Sequence, residues 1–469
     1  MLGLTEGEDE ETGAPVAQLK GISQEHRGKH FYIAGGTGVG KSKFIESLIL
    51  QDMRWGNGFG VIDPHGDQYN AIKAHLIARH DPEDIAQGVV LIDPTDPLYT
   101  ATFNPLELAE GVSAAELANT LIFVFEKIWA DSWGNRMEDI MRWSMVALAE
   151  QGLTLYELPR LLTDMDFRDR ILENTQDEQC RYYFEHRLGA QTRKTQNEWV
   201  ESTLNKISAL LSNRNVRHMF LSAKSSFNLR DIIDSGKILL VKLDRGRLMG
   251  SADLLGALLI AKVQLDAFSR GDVDPEKRAT WYLYIDEFQN FATDSFAQIL
   301  SEARKYGLAL ILAHQHLSQL PRFLRDSILS NCAIQTCFRL NRDDASTLAH
   351  ETMTSIFTSP PGWESYVQEL QMLRPRECYV KNTNEGGVVK LYTLDVPKPH
   401  EYGEKEEWME KEELAERIAS SPIGSSYLRL RSDIEEEYRK RRESFEKPDA
   451  PEEQEIYSEP MKDRDLYNS

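Results

Sequence analysis

"YIAGGTGVGKSKF", residues 32–44, decides the fold. An apolar run ends at Ala34, and a helix-like apolar pattern begins at Phe44. Between them, the pattern G-x-x-x-x-G-K-[ST] opens on Gly35, continues through Gly36, Thr37, Gly38 and Val39, and closes on Gly40, Lys41 and Ser42. Such a loop curls so that successive backbone N–H groups point into one hollow. Glycine lets a ligand approach the backbone closely. A helix starting near Lys41 adds the positive end of its dipole. Lys41 then reaches the β- and γ-phosphates of ATP, and the Ser42 hydroxyl binds Mg²⁺. "KHFYIA" before the loop reads as a buried strand and "KSKFIESLILQD" after it as an amphipathic helix. Strand, loop, helix is the context this motif requires.

The chain has 469 residues, a length that suggests roughly two or three domains. No apolar run is long enough to span a bilayer; "LANTLIFVFEKIWA" is too short and carries charge. The start, "MLGLTEGEDEETGAP", is acidic and is no signal peptide. Cys180, Cys332, Cys337 and Cys378 show no C-x-x-C spacing and read as reduced core thiols of a cytoplasmic protein. The formal net charge of −21 argues against a surface that coats nucleic acid everywhere, but it leaves room for a basic pore.

Outward from the loop, residues 1–28 read as a polar lead-in. "GFGVIDPHGD" (58–67) and "GVVLIDPTDP" (88–97) carry further strands, each ending in an Asp-Pro turn signal. Strands alternating with helices imply a parallel α/β sheet, with ligands beyond the carboxyl ends of the strands. Over residues 107–231 the pattern switches to helical periodicity. "AAELANTLIFVFEKIW", "NRMEDIMRWSMVALAEQG" and "NEWVESTLNKISALLSN" repeat apolar residues at helical spacing. An all-α domain is therefore expected there, inserted between two parts of an α/β core at 29–106 and 232–396. The core resumes at "GKILLVKLDRG" and continues through "TWYLYIDEF", "LALILAHQ", "AIQTCFRL", "ECYVKN" and "GVVKLYTL", the last two as a hairpin. Residues 397–469 form a charged, acidic tail, with a solvated helix expected over "SDIEEEYRKRRESFEK" and disorder at its end.

Cleaving ATP needs a carboxylate for the Mg²⁺ shell and a group that positions water. "WYLYIDEFQNF" supplies Asp286 for the metal and Glu287 for the water at the end of a buried strand. The next strand ends in Gln315, whose amide can contact both water and γ-phosphate and so sense the phosphate. Arg304 and Lys305 lie at a helix end just before Gly307. They read either as cations favoured at a helix C-terminus or, for Arg304, as an arginine finger reaching a neighbouring subunit's ATP.

The loop, "VIDPHGD", "LIDPTDP" with "FNPLE", "WYLYIDEFQNF" and "ILSEARKYGLALILAHQHLSQL" occur in one order. In this the chain resembles the HerA/FtsK superfamily of DNA-pumping ATPases, and within it the TraG/TraD-type coupling proteins of conjugation and type IV secretion. The resemblance covers roughly residues 28–396. It implies a RecA-like P-loop core with a mostly parallel central sheet and an inserted all-α domain. It also implies a hexameric ring and ATP hydrolysis at subunit interfaces, coupled to moving DNA through the pore. It strengthens Arg304 as the interfacial arginine and offers Arg339, after the following strand, as a weaker candidate. Coupling proteins carry N-terminal membrane helices, which this sequence does not show. The expectation is an anchor on another chain, with recruitment to the inner face of the membrane, or a soluble or shortened relative. DNA contacts are expected at Arg245 and Arg247 in "LDRGRLMG" and at Arg193 and Lys194 in "QTRKTQNEW", each of which also reads as an ordinary solvated cation.

These features lead to a DNA-translocating ATPase that works with DNA, further copies of itself, and relaxase or secretion-channel proteins. A HerA-like motor in DNA end processing or phage defence, and a nucleotide-gated scaffold that docks protein substrates, remain as alternatives.

Overall fold

The computed structural model describes residues 1–8, 15–293, 296–353, 360–384, 387–401 and 427–445, with positions 410 and 413. Its centre is an 11-stranded sheet. In chain order the strands are β1 (Gly3–Glu8), β2 (Pro15–Lys20), β3 (Phe31–Ala34), β4 (Phe59–Asp63), β5 (Val89–Ile92), β6 (Tyr99–Ala101), β7 (Ile238–Lys242), β8 (Trp281–Ile285), β9 (Leu308–His314), β10 (Ile334–Cys337), β11 (Glu377–Asn382), β12 (Gly387–Thr393) and β13 (Leu428–Leu430). The sheet order is β2-β1-β12-β11-β10-β3-β9-β8-β4-β7-β5, and β6 pairs with β13 in a separate small ribbon. From β10 to β5 every neighbouring pair is parallel. From β10 outward to β2 every pair is antiparallel.

Strands buried on both faces read as continuous apolar runs, and FYIA, VVLI and WYLYI do so. Because side chains alternate across the sheet, each strand feeds two cores. Phe31 and Ile33 pack with Phe44, Leu48 and Ile72 on one face. That face is covered by helices α1 (Lys41–Trp55) and α2 (Asp67–Arg79). Tyr32, Ile62 and Ile285 point to the other face, into a core continuous with the helical segment.

Among the described residues between β6 and β7 there is no strand. The main helices there are α3 (Ala114–Ile128), α4 (Asn135–Glu150) and α5 (Arg193–Ser212). Helix α6 (Gly250–Phe268), between β7 and β8, is buried almost all round, as expected of a helix apolar on every side. The four cysteines are free and buried, and burial pushes the Cys180 and Cys337 thiols up to about 12. Among the described residues no helix is long and apolar enough to cross a membrane.

Two expectations are corrected. Residues 1–28 are not a mere polar lead-in: β1 and β2 form a hairpin that extends the sheet beyond β12. A Cβ at Gly3 would lie 2.5 Å from the Tyr392 carbonyl oxygen, so the close pairing requires glycine. Arg27, from the same lead-in, is buried and bonded to Asp52 and Tyr284. The tail helix, α7 (Arg431–Ser444), is not freely solvated. It docks on the helical segment through buried Ile434, a Tyr156–Tyr438 ring contact at 4.8 Å and an Arg441–Glu157 ion pair at 2.7 Å. Just before it, β13 pairs with β6, so the tail is held both by that small ribbon and by the helices. The last part of the tail lies outside the described residues.

Candidate active site

The loop after β3 is held from both sides of the sheet. Gly35 N–H donates to the His314 carbonyl at 3.3 Å, and Gly36 N–H to the Arg339 carbonyl at 3.0 Å. A Cβ at Gly35 would sit 2.6 Å from Phe338 Cβ, so the loop fits the end of β10 only with glycine there. Gly38 and Gly40 have φ of 73° and 107°, values that L side chains rarely adopt. Gly40 caps α1, whose first turn brings Lys41 and Ser42 to the loop.

Lys41 is 7% exposed. Its Nζ donates to the carbonyls of Gly35 at 2.5 Å and Gly36 at 2.9 Å. Burial lowers its pKa, and the nearby Glu287 and Asp286 partly offset this. A buried ammonium that, among the described residues, bonds only neutral carbonyls of its own loop suits an anion such as a triphosphate. Ser42 is exposed, and its carbonyl accepts from Gln68 Nε2 at 2.5 Å.

Strand β8 delivers the acidic pair. Asp286 N–H donates to the Ile62 carbonyl of β4 at 3.3 Å, fixing the pair beside the end of β4. Burial, with Glu287 adding to it, pushes the Asp286 carboxyl up to about 6. The exposed Ser42 hydroxyl and the Asp286 carboxylate are oxygen donors of the kind Mg²⁺ takes, and a bound cation would oppose that shift. Asp63, close by, is already engaged: its oxygens accept from the His65 and Tyr69 N–H groups at 2.9 Å each.

Glu287 is 8% exposed. Gln315, just past β9, donates to Glu287 Oε1 at 2.6 Å, while its own Oε1 accepts from the Thr37 hydroxyl at 2.9 Å. One amide thus bridges the phosphate loop and the acidic pair. The ends of β3, β8 and β9 bring Thr37, Lys41, Asp286, Glu287 and Gln315 into one cluster.

Against this fold, a scan of protein families matches residues 16–354 to the type IV secretion-system coupling protein DNA-binding domain. The chain belongs to that family. Among curated proteins none matches the coupling-protein chain. Solved structures share its fold at low identity. The bacterial conjugative coupling protein TrwBdeltaN70, in an unbound form, aligns with a TM-score of 0.56 and 15% identity over 85% of this chain and 90% of that one. The plasmid coupling protein TrwB in complex with ADP and Mg²⁺ gives 0.55 and 17% over 85% and 90%. VirB4 of Thermoanaerobacter pseudethanolicus gives 0.54 and 13% over 84% and 97%. With the mostly parallel sheet and helical segment, these show a RecA-like P-loop core of the coupling-protein kind.

The remaining candidates of this coupling-protein family member lie elsewhere. Arg304 is exposed on the turn Ala303–Tyr306, before β9 begins. It therefore sits at the amino ends of the parallel strands, about 20 Å from the loop for a strand of this length, and does not enter its own chain's cluster. Arg339 is exposed beside the loop but contributes its carbonyl. Arg245 and Arg247 follow β7 on the helical turn Arg245–Leu248, at the loop's edge of the sheet. Arg245 is tied to Asp253 at 2.9 Å, while Arg247 is 68% exposed. Arg193 and Lys194 are exposed in the first turn of α5. Sequence reasoning missed Gln68 and Gln289. The first lies in "DPHGDQ", just past a motif quoted without a role for it; the second follows "DEF" by one residue.

Proposed function

We propose that the chain binds ATP with Mg²⁺ at this cluster, hydrolyses it, and as a ring of like subunits uses the cycle to move DNA. The observation that carries the reading is the single hydrogen-bonded cluster joining Lys41's loop to Glu287 through Gln315. Lys41 leaves the Gly35 and Gly36 carbonyls to neutralise the β- and γ-phosphate oxygens. Glu287 orients the attacking water and accepts its proton. Gln315, linked to both parts, registers whether the γ-phosphate is present. Mg²⁺, held by Ser42 and Asp286, would neutralise charge that develops on the phosphates.

Arg304 is exposed at the opposite end of the strands from its own chain's phosphate loop, which favours a finger donated to a neighbouring subunit. Mixing Arg304→Ala with Lys41→Ala subunits should then restore part of the turnover that each lacks alone; no recovery at any ratio contradicts action across an interface. Arg245, Arg247, Arg193 and Lys194 are the proposed phosphate contacts, sequence-independent as travel along DNA demands. In this reading the cytoplasmic partners are DNA, further copies of the chain, and relaxase or channel proteins of a secretion system.

The test is ATP turnover by the full chain with and without DNA, alongside electron-microscopy images of ATP-bound particles. Turnover raised by DNA, with the stimulation weakening as salt rises and rings in the images, is expected. Turnover indifferent to every form of DNA would instead favour a nucleotide-gated scaffold.

A further inference from the structure

Glu287 leaves β8 with φ of 47°, a backbone region that few non-glycine residues occupy. The chain then turns through the short helical stretch Phe288–Asn290, which brings the Gln289 side chain back onto Glu287. Gln289 Nε2 donates to Glu287 Oε2 at 2.7 Å, while Gln315 Nε2 holds the other oxygen, Oε1, at 2.6 Å. A carboxylate only accepts hydrogen bonds, so both amides present nitrogen to it.

The far ends of the two amides differ. Gln315 Oε1 is satisfied by the Thr37 hydroxyl. Gln289 Oε1 is buried with no hydrogen-bond partner among the described residues. A buried acceptor left unpaired is unfavourable, and an apolar residue of the same length would fill the space without that penalty. What glutamine adds is a second fixed donor on Glu287. Each carboxylate oxygen has two lone-pair directions. The amides take one on each and leave the others open to water. A single donor would let the carboxylate swing about its bond; two donors on opposite oxygens fix its plane.

We propose that Gln289 is a positioning residue for Glu287, holding the carboxylate in the plane from which it receives the proton of the attacking water. The inference rests on the reading of Glu287 as the group that activates water. Its role differs from that of Gln315. The Gln315 amide is tied to the phosphate loop and answers to its occupant, whereas Gln289 rides on the same turn as the glutamate.

The test is steady-state ATP turnover with Mg²⁺ by the full chain, comparing wild type with Gln289→Met and Gln289→Glu. Methionine keeps the length and removes the donor. Glutamate keeps the shape and sets a second carboxylate against the first. The expected result is KM within about twofold of wild type, with kcat down roughly tenfold to a hundredfold in Gln289→Met, the scale of a misplaced catalytic group. Gln289→Glu should fall lower still. Glu287→Gln combined with Gln289→Met should lose no more single-turnover rate than Glu287→Gln alone, because residues that act as a unit are not additive. Should Gln289→Met fail to fold, Gln289→Asn, which withdraws the amide by one carbon, should show the same kcat-only loss. An unchanged kcat overturns the proposal. So does an equal loss in Met and Glu variants accompanied by raised KM and lowered melting temperature, which marks a packing role. A wild type that turns over no ATP defeats the underlying reading of the site, whereas an active wild type with unaffected variants defeats this inference alone.

Discussion

Helix α1 carries a buried charge near each end, and the two ends are built differently. Near its carboxyl end, Asp52 is fully buried and Arg27 is 3% exposed. The guanidinium bonds Asp52 Oδ1 at 2.5 Å, reaches the Tyr284 hydroxyl and lies over the Tyr282 ring at 4.5 Å. Burial works against this charge, but Tyr284 and Asp52 outweigh it and hold Arg27 above its ordinary range. At the amino end, Lys41 has only the carbonyls of Gly35 and Gly36 as hydrogen-bond partners among the described residues, and burial holds its pKa down. Burial also pushes its acidic neighbour Asp286 up to about 6. The first cluster sets opposite charges against each other and serves the fold. The second gives the ammonium carbonyl partners and no ion pair among the described residues, an arrangement suited to a charged ligand.

Substitutions at the two ends should separate those roles. Arg27→Ala leaves Asp52 charged, buried and unpaired, so stability should fall by about 3–5 kcal/mol. A denaturant titration measures this, and activity should be lost only where the protein unfolds. Lys41→Ala removes a poorly matched charge. Its melting temperature should stay level or rise, while ATP turnover should drop at least about a hundredfold, the scale of losing a transition-state donor. If Lys41→Ala destabilises the chain as much as Arg27→Ala does, the contrast between the two ends fails.

A smaller effect comes from pH. The Asp286 carboxyl titrates near 6 in the folded chain and near about 3.9 when unfolded. Its folded pKa is raised, so its contribution to stability is full below about pH 4 and is lost as pH rises through 6. Asp286→Asn should therefore gain on the wild type between about pH 4 and 7. The gain should be about 1–2 kcal/mol once partial exposure is allowed for. Melting curves across that range check it, and a constant difference between the two proteins would contradict the shift.

The same contrast explains what could be read from the sequence. Phosphate chemistry demands particular residue types at strand ends, so the loop at Gly35–Ser42, Asp286, Glu287 and Gln315 stand out in the linear text. The parallel strands are legible because burial on both faces leaves unbroken apolar runs such as WYLYI. The β1–β2 hairpin is not, because polar residues such as half-buried Thr5 and exposed Glu6 give no apolar alternation, and pairing with β12 supplies hydrogen bonds to β1. The docking of α7 is hidden for a related reason. Much of it runs through ion pairs and hydrogen bonds of Glu435, Glu437 and Arg441, residues that look solvated in a charged helix, with His218, Ser222 and Glu157. Gln289 escapes notice because its contact with Glu287 depends on a left-handed turn that no local propensity announces.

Glu287→Gln in the full chain tests the central claim most directly, with ATP binding and ATP cleavage measured on the same preparation. The amide keeps the shape of the carboxylate but cannot take a proton from water. The expected result is ATP bound about as tightly as by wild type, with cleavage slower by about a hundredfold or more. Loss of ATP binding, or cleavage at the wild-type rate, would contradict the joining of the phosphate loop and the acidic pair into one hydrolytic site.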